Sequence, residues 1–351
     1  MSQIIFEGVE NLKQLPQKKY LLVYDAAFDK LGVGDKFTPQ AVFSDFTPNP
    51  LYEQVCRGVE IFNKTNCEMI VAIGGGSTID VAKCIKLYCK MDASVNYLQQ
   101  EKKDSEIPLV AIPTTAGTGS ESTRHAVIYY NGEKQSISHE SIVPNYVVLE
   151  PSFLKTLPLY QKKCTMLDAL CQGIESWWAV GSTDESKQYA IAAVKGIVQN
   201  WREYVEQNTT RSAKNIMRAA NYSGRAINIT ATTAGHAMSY KITSLYNFPH
   251  GHAVAICLEQ VWEYMLNNTD KCIDKRGKEY LRRIFADIEG VISLEQFGNM
   301  LKELQMSTPQ AQNRPQELKV LAQSVNPIRL KNNPVELDEE TLYGLYERIV
   351  K

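Results

Sequence analysis

The stretch EMIVAIG (Glu68–Gly74) runs directly into GGGSTIDVAK, Gly74 to Lys83. An apolar β-rich run, a triple glycine, then Ser77 and a helical pattern make a strand–turn–helix unit that suits an anion. Glycine lets the backbone approach a ligand, and the unpaired N–H groups opening the helix point toward negative charge. A tight turn that binds nothing has the same local pattern; we read a diphosphate site. The dinucleotide fingerprint G-x-G-x-x-G is absent, and so is a triphosphatase loop ending in Gly-Lys-Ser/Thr.

This unit sits in a half-chain of the same style. Apolar runs at KYLLVYD (Lys19–Asp25), AVFSDF (Ala41–Phe46) and PLVAIPT (Pro108–Thr114) read as further strands, and Tyr52–Lys64 has helical apolar spacing. Alternation of strands and helices predicts an α/β sheet domain. A second glycine-punctuated loop, PTTAGTGSES (Pro113–Ser122), follows the fourth run. Two such loops after neighbouring strands mark the carboxyl edge of one sheet, where nucleotides bind in open α/β folds. The candidate cofactor contacts are Gly74, Gly75, Gly76, Ser77, Asp80, Thr114, Thr115, Thr118 and Ser120. Asp25, at the end of an earlier strand, is a candidate for a ribose hydroxyl or a simple strand-end turn residue. A hairpin is expected around Asn131-Gly132, with a strand returning to Pro151. The boundary is placed near there, giving residues 1–155 and 156–351.

From about Leu157 the pattern turns helical. TDESKQYAIAAVKGIVQNWREYVEQ has three-to-four apolar spacing behind a capping Ser182/Thr183, and RSAKNIMRAANYSGRAIN, HAVAICLEQVWEYML and DEETLYGLYERIVK follow suit. The four tryptophans read as packing, and charged stretches such as Asp270–Lys278 as solvated faces. Three of the five histidines fall in GHAMSYKITSLYNFPHGH, Gly235 to His252. Upstream, LDALCQGIES puts Asp168 and Gln172 on one helix face. Imidazoles with a carboxylate suit a divalent metal such as Zn²⁺ or Fe²⁺. Spacing alone is equally compatible with His236 and His250 as unrelated histidines.

The chain has 351 residues, 44% hydrophobic and 22% charged, with a net charge of −1. That is enough for two domains and provides no global basic field, which disfavours nucleic acid and anionic membranes as partners. The N-terminus has no secretory pattern, and no apolar stretch is long enough to span a bilayer. Eight scattered cysteines without a CxxC pair point to reduced thiols and a cytoplasmic protein.

Taken together, GGGSTIDVAK, PTTAGTGSE, the Asp168 helix and the pair His236/His250 closed by FPHGHA resemble the iron-containing (group III) alcohol dehydrogenase family, over nearly the whole chain and in order. The resemblance implies an α/β nucleotide-binding domain that takes NAD(P), then an all-helical domain that binds a divalent metal, as in the related dehydroquinate synthase-like architecture. It implies an aldehyde or alcohol as substrate and a homodimer. The family's ligands, an Asp and three His, fall on Asp168, Gln172, His236 and His250, so Gln172 replaces a histidine. A further family histidine near the nicotinamide is Tyr240 here, a candidate for the proton relay. A glutamine amide oxygen is neutral like imidazole but a weaker donor.

Within the family, GTGSESTRHAVIYYNGEKQSISHES, LDALCQGIESWWAVGSTDES and GRAINITATTAGHAMSYKITS resemble the phosphonoacetaldehyde reductase (2-hydroxyethylphosphonate dehydrogenase) branch. An anionic tail needs cations or donors beside the metal. The candidates are Arg124, Asn228, Lys241 and His252, with Arg225 also flanking the metal segment. Three readings compete with that substrate: a general short-chain alcohol dehydrogenase of the same family, a dehydroquinate synthase-like lyase, and a nucleotide-binding protein that has lost catalysis. Net consumption of reduced nicotinamide with an aldehyde separates the dehydrogenases from the other two.

Overall fold

A computed structural model describes residues 3–351. The chain divides into two compact units, Met1–Leu157 and Pro158–Lys351.

The first unit carries strands β1 (Ile4–Glu7), β2 (Tyr20–Tyr24), β3 (Ala41–Phe43), β4 (Met69–Gly74), β5 (Leu109–Pro113), β6 (His125–Tyr130), β7 (Glu133–Ser138) and β8 (Tyr146–Leu149), with helices α1 (Tyr52–Lys64) and α2 (Gly76–Tyr88). Six strands form a parallel sheet in the order β1-β8-β5-β4-β2-β3. Strand side chains alternate between faces. Leu21, Val23, Ile70 and Ala72 enter the core that α1, α2 and the β6–β7 hairpin cover. Leu22, Met69, Val71 and Ile73 enter the opposite core, closed by Leu15, Val33, Phe37 and Phe153. Burial on both faces explains the unbroken apolar runs.

The four expected strands are all present, and α1 spans the expected residues. The hairpin turns at Asn131 and Gly132, both at positive φ (51° and 77°), as a two-residue hairpin turn requires. Strand β1 was not foreseen. At the sheet edge beside β8, Ile4 and Glu7 are exposed and Ile5 and Phe6 only partly buried, and the three-residue apolar run is too short to mark a strand.

From β2 the chain steps out to β3, then returns past β2 to β4 and continues through β5 to β8. The direction of winding thus reverses between β2 and β4, the position at which open α/β sheets bind ligands beyond the strand ends. Gly74 pairs with Pro113 and Tyr24 with Ile73. Asp25 and both glycine loops therefore leave the same edge of the sheet.

The second unit is helical: α3 (Leu159–Trp178), α4 (Asp184–Glu206), α5 (Thr210–Thr230), α6 (Ala234–Tyr246), α7 (His250–Asn267), α8 (Lys278–Glu289), α9 (Leu294–Glu303), α10 (Arg314–Ser324), α11 (Pro327–Leu330) and α12 (Glu339–Ile349). Thr183 caps α4, its side chain accepting from Ser186 N. Helix α3 is buried on almost every side from Cys164 onward, which places it at the centre of the unit. The tryptophans are packing residues as expected, with Trp178 fully buried edge-on to Trp262 and Phe285.

The charged stretch Asp270–Lys278 is only partly a solvated face. Asp274 is buried, and Arg276 bonds to it while donating to the carbonyls of Ala179, Val180 and Ser182 at 2.9, 3.1 and 2.9 Å. These carbonyls follow the end of α3, where peptide oxygens lack helical partners, so Arg276 straps the α3–α4 connection.

Helices α3 and α7 approach closely because Gly251 has no side chain. A Cβ there would overlap the Cys164 carbonyl oxygen and lie 2.9 Å from Asp168 Cβ. Gly251→Ala should force the helices apart and cost about 1–3 kcal/mol of stability, measurable as a lowered thermal midpoint. An unchanged midpoint would show that α7 can shift freely against α3.

Candidate active site

In the first unit, Gly75 caps α2 at the end of β4. Asp25 braces this turn, with Oδ2 accepting from Gly75 N at 3.2 Å and Thr78 Oγ1 at 2.9 Å, and Oδ1 accepting from Ala27 N at 2.9 Å. The second loop approaches from β5. Thr114 N donates to Gly74 O at 3.0 Å, and a Cβ on Gly76 would lie 2.9 Å from the Thr118 side chain. Gly76 thus permits the two loops to touch. At Gly75 the nearest atom to an added Cβ is Thr115 Cγ2, at an ordinary 3.5 Å, so that position has room above it. Ser77 Oγ accepts from Asn49 N at 3.4 Å.

Asp80 and Ser120 bond to each other at 2.6 Å, and Asp80 also accepts from Val127 N at 2.9 Å. Beneath them Lys83 Nζ donates to Ser120 Oγ, Thr123 Oγ1 and His125 O at 3.0, 3.0 and 2.7 Å. Burial lowers the lysine to about 8 against the pull of Asp80, and burial raises Asp80 against the pull of the lysine. The expected contacts Asp80 and Ser120 are thereby placed as the internal brace of the second loop, a task sequence reading did not assign them. Arg124, beyond this loop, ion-pairs with Glu140.

In the second unit, Asp168, Gln172 and Glu175 line one face of α3 at four- and three-residue steps. His236 lies in the first turn of α6 and His250 opens α7 behind Pro249. Asp168 Oδ1 is 3.2 Å from His236 Nε2 and 4.0 Å from His250 Nε2, and the donor atoms of the three residues all lie within 4.8 Å of one another. Two donors on a common tetrahedral Zn²⁺ are about 3.4 Å apart, so small adjustments would close this set on one ion.

Glu175 fixes the cluster. Its Oε1 accepts from His236 N at 3.2 Å and Thr233 Oγ1 at 2.9 Å, while its Oε2 meets His236 Nδ1. Trp178 Nε1 in turn donates to Thr233 Oγ1 at 3.0 Å. The carboxylate therefore caps the start of α6 and turns the ring so that Nε2 faces Asp168, the arrangement that orients metal-binding imidazoles. Burial disfavours charge on His236, yet Glu175 and Asp168 together raise it to about 9. Burial likewise works against the Asp168 anion, but His236, His250 and a hydrogen bond from Gln172 hold its carboxyl below the usual range. A site that keeps Asp168 as an anion between two imidazoles is matched to a cation, and Asp168, His236 and His250 fit a divalent metal.

Gln172 is buried with Oε1 3.0 Å from Ser223 Oγ. Tyr240 stacks on His250 with centroids 5.6 Å apart and planes 7° from parallel. Its hydroxyl accepts from Arg329 Nη1 at 3.1 Å, and the guanidinium lies 4.9 Å from its ring centroid. Burial raises the Tyr240 phenol, an effect Arg329 partly offsets.

Asn228 is half-buried on α5, and Lys241 half-buried on α6 beside Tyr240. His252 is placed differently from the expected substrate contact. It is buried, with Nδ1 2.6 Å from Tyr160 Oη, Nε2 2.8 Å from Ser307 O, and its ring stacked on Phe248. Both ring nitrogens are taken by hydrogen bonds, because a two-residue step along α7 turns His252 away from the face that carries His250. Sequence reading missed Glu175, Ser223, Thr233 and Arg329. Only Glu175 carried a signal, seven residues beyond Asp168 on the same helix face.

Models described as iron-containing alcohol dehydrogenase and as the C-terminal part of that family match residues 3–151 and 163–350. An NAD-dependent methanol dehydrogenase of Bacillus methanolicus is 32% identical over 73% of this chain and 70% of its own length. A 1,3-propanediol dehydrogenase of Citrobacter freundii is 31% identical over 76% of this chain and 73% of its own. Among solved structures, a sulfoacetaldehyde reductase from Bifidobacterium kashiwanohense in complex with NAD+ superposes with a TM-score of 0.86 at 26% identity, covering 99% of this chain and 96% of that one. An iron-containing alcohol dehydrogenase from Thermococcus thioreducens shares the fold with a TM-score of 0.88 at 21% identity, covering 99% and 98%. The parallel-sheet unit with its glycine turn, the helical unit with its carboxylate–imidazole cluster and these matches lead to one conclusion: the chain belongs to the iron-containing alcohol dehydrogenase family and is an alcohol/aldehyde oxidoreductase of the NAD-dependent kind.

Proposed function

We propose that the protein reduces a short aldehyde carrying an acidic tail to its primary alcohol, with phosphonoacetaldehyde to 2-hydroxyethylphosphonate as the leading reaction. The observation that carries this reading is the Arg329–Tyr240–His250 stack. It puts a guanidinium on the same wall as the candidate metal ligands. A fixed cation beside a carbonyl-activating centre favours substrates with an anion a few atoms from the aldehyde. The similar sulfoacetaldehyde reductase acts on a two-carbon aldehyde of that type. The methanol and propanediol dehydrogenases support a second reading, a neutral short-chain alcohol as substrate.

Asp168, His236 and His250 would hold the divalent metal with Gln172 beside them, and its chemistry is Lewis-acid polarisation of a carbonyl oxygen. NAD(P)H supplies the hydride, with its diphosphate assigned to Gly74, Gly75, Gly76 and Ser77 and its flank to Thr114, Thr115 and Thr118. Asp25, a ribose candidate from the sequence, instead holds this turn, with both carboxylate oxygens taken by Ala27 N, Gly75 N and Thr78 Oγ1. Glu175 holds the His236 ring through Nδ1, and His250 is held by stacking on Tyr240. Tyr240 Oη, polarised by Arg329, is the proton carrier we assign to the product alcohol. Arg329 is the cation we assign to the acidic tail, in preference to Arg124, because it lies over Tyr240, which stacks on the candidate ligand His250.

Gly75→Val should leave the fold intact, since a Cβ there meets ordinary contacts, and should abolish NADH binding by filling diphosphate space. Fluorescence titration of NADH checks this; undiminished affinity would remove the glycine turn from the site.

Asp168→Ala, His236→Ala and His250→Ala should each lose metal by elemental analysis and most activity. Metal must displace the proton that His236 holds up to about pH 9, so metal affinity should fall as pH drops below that value. A pH-independent affinity, or fully active protein free of metal, would overturn the assignment.

Arg329→Met should lower kcat for both aldehydes by a similar modest factor, since Tyr240 Oη loses its donor, and should raise KM for phosphonoacetaldehyde but not for propanal. Loss of one charge-assisted contact of about 1.5–3 kcal/mol corresponds to roughly ten- to a hundred-fold in kcat/KM. Equal KM changes for both aldehydes would take the acidic tail away from Arg329, and a selective KM effect from Arg124→Met instead would return the role to Arg124. Wild type preferring propanal would select the neutral-alcohol reading. Absence of net NADH consumption with any aldehyde would point to a lyase or a protein without turnover.

A further inference from the structure

Gln172 stands where the family resemblance places a histidine ligand, and its amide is gripped from two sides. One end meets Ser223 Oγ at 3.0 Å, and the other hydrogen-bonds the Asp168 carboxylate. Ser223 Oγ also lies 2.8 Å from the carbonyl oxygen of Ala220 on its own helix. Asp168, Gln172 and Ser223 are all buried, so none of these groups can exchange its partner for bulk water.

A serine hydroxyl has one proton to give and lone pairs that accept. Ser223 can therefore serve the amide in two ways. With its proton on the Gln172 side it supports the amide oxygen. With its proton directed to Ala220 O it accepts from the amide N–H₂. A half-turn of the terminal amide exchanges oxygen and nitrogen at almost no change of shape. In the first arrangement the amide N–H faces the Asp168 carboxylate. In the second the amide oxygen does, which is favourable only with a cation between them. An imidazole at this position would offer a nitrogen lone pair without any such exchange.

We propose that Ser223 is a positioning residue that lets Gln172 turn its amide oxygen onto the divalent metal, making the glutamine a working fourth ligand. This rests on the reading that Asp168, His236 and His250 bind that metal. The N–H bond to Ser223 should matter most in the metal-bound arrangement, because an amide whose oxygen is on a cation is a stronger donor.

The test is titration of metal-stripped protein with Co²⁺ alone, read by its visible ligand-field bands and by competition with a chelator. Ser223→Ala should weaken Co²⁺ binding roughly five- to twenty-fold and shift the bands in the same sense as Gln172→Met. In a Gln172→His background, Ser223→Ala should cost clearly less than in the glutamine background, since an imidazole loses only support for its second ring N–H and has no oxygen and nitrogen ends for the hydroxyl to sort. Equal losses in both backgrounds, or a Ser223→Ala spectrum identical to wild type, would overturn the proposal and leave Ser223 a packing residue. If Ser223→Ala does not fold, Gln172→Met alone decides: unchanged affinity and bands would exclude the amide as a ligand. Wild type that binds no Co²⁺ would instead defeat the metal reading itself, a result distinct from any of these.

Discussion

The buried carboxylate of Glu175 does three things at once: it takes the backbone N–H of His236, the hydroxyl of Thr233 and the ring nitrogen Nδ1 of the same histidine. The first two fix where α6 begins, and the third fixes which nitrogen of His236 faces Asp168. An uncompensated carboxylate in such a place would cost several kcal/mol, so the site depends on all three donors being present together. Because Glu175 and Asp168 are two turns apart on the rigid α3, the position of one sets the position of the other. Gly251 completes the geometry by letting α7, and with it His250, come against the same helix.

The first unit solves a similar problem with different chemistry. Here the backbone of the glycine turn is the binding element, and side chains serve to hold it. Asp25 binds the turn from β2, while Asp80 and Lys83 of α2 bind Ser120 of the second loop. Both braces lie under the loops. This leaves the surface above Gly75 open. Burying the Asp80–Lys83 pair is tolerable because hydroxyls, a carbonyl and a backbone N–H satisfy the remaining donors and acceptors.

Much of this was legible before any coordinates. The strands at Lys19–Asp25, Ala41–Phe46, Glu68–Gly74 and Pro108–Thr114, helix α1 and the Asn131-Gly132 hairpin were all readable. Each is specified by residues within a few positions of one another. So was the grouping of Asp168, His236 and His250, although there the family resemblance did what spacing could not. The expectations that shifted share a cause. Asp270–Lys278 looked solvated because its charges are dense, yet Arg276 finds carbonyls more than ninety positions away. His252 looked available because it follows a ligand, yet the pitch of α7 carries it into the packing around Tyr160 and Phe248.

The sequence by itself determined the architecture: apolar runs set the strands, three-to-four spacing set the helices, and glycines set the turn on which an anion can rest. Those signals act through the backbone over one or two turns or strand steps, so a linear reading recovers them. Only the tertiary structure decided which side chains hold the reactive groups in place. Glu175 reaches His236 across 61 positions, Ser223 reaches Gln172 across 51, and Arg329 reaches Tyr240 across 89. Side-chain hydrogen bonds form over about 3 Å in space whatever the separation along the chain, and the packing of helices alone brings such partners within that distance.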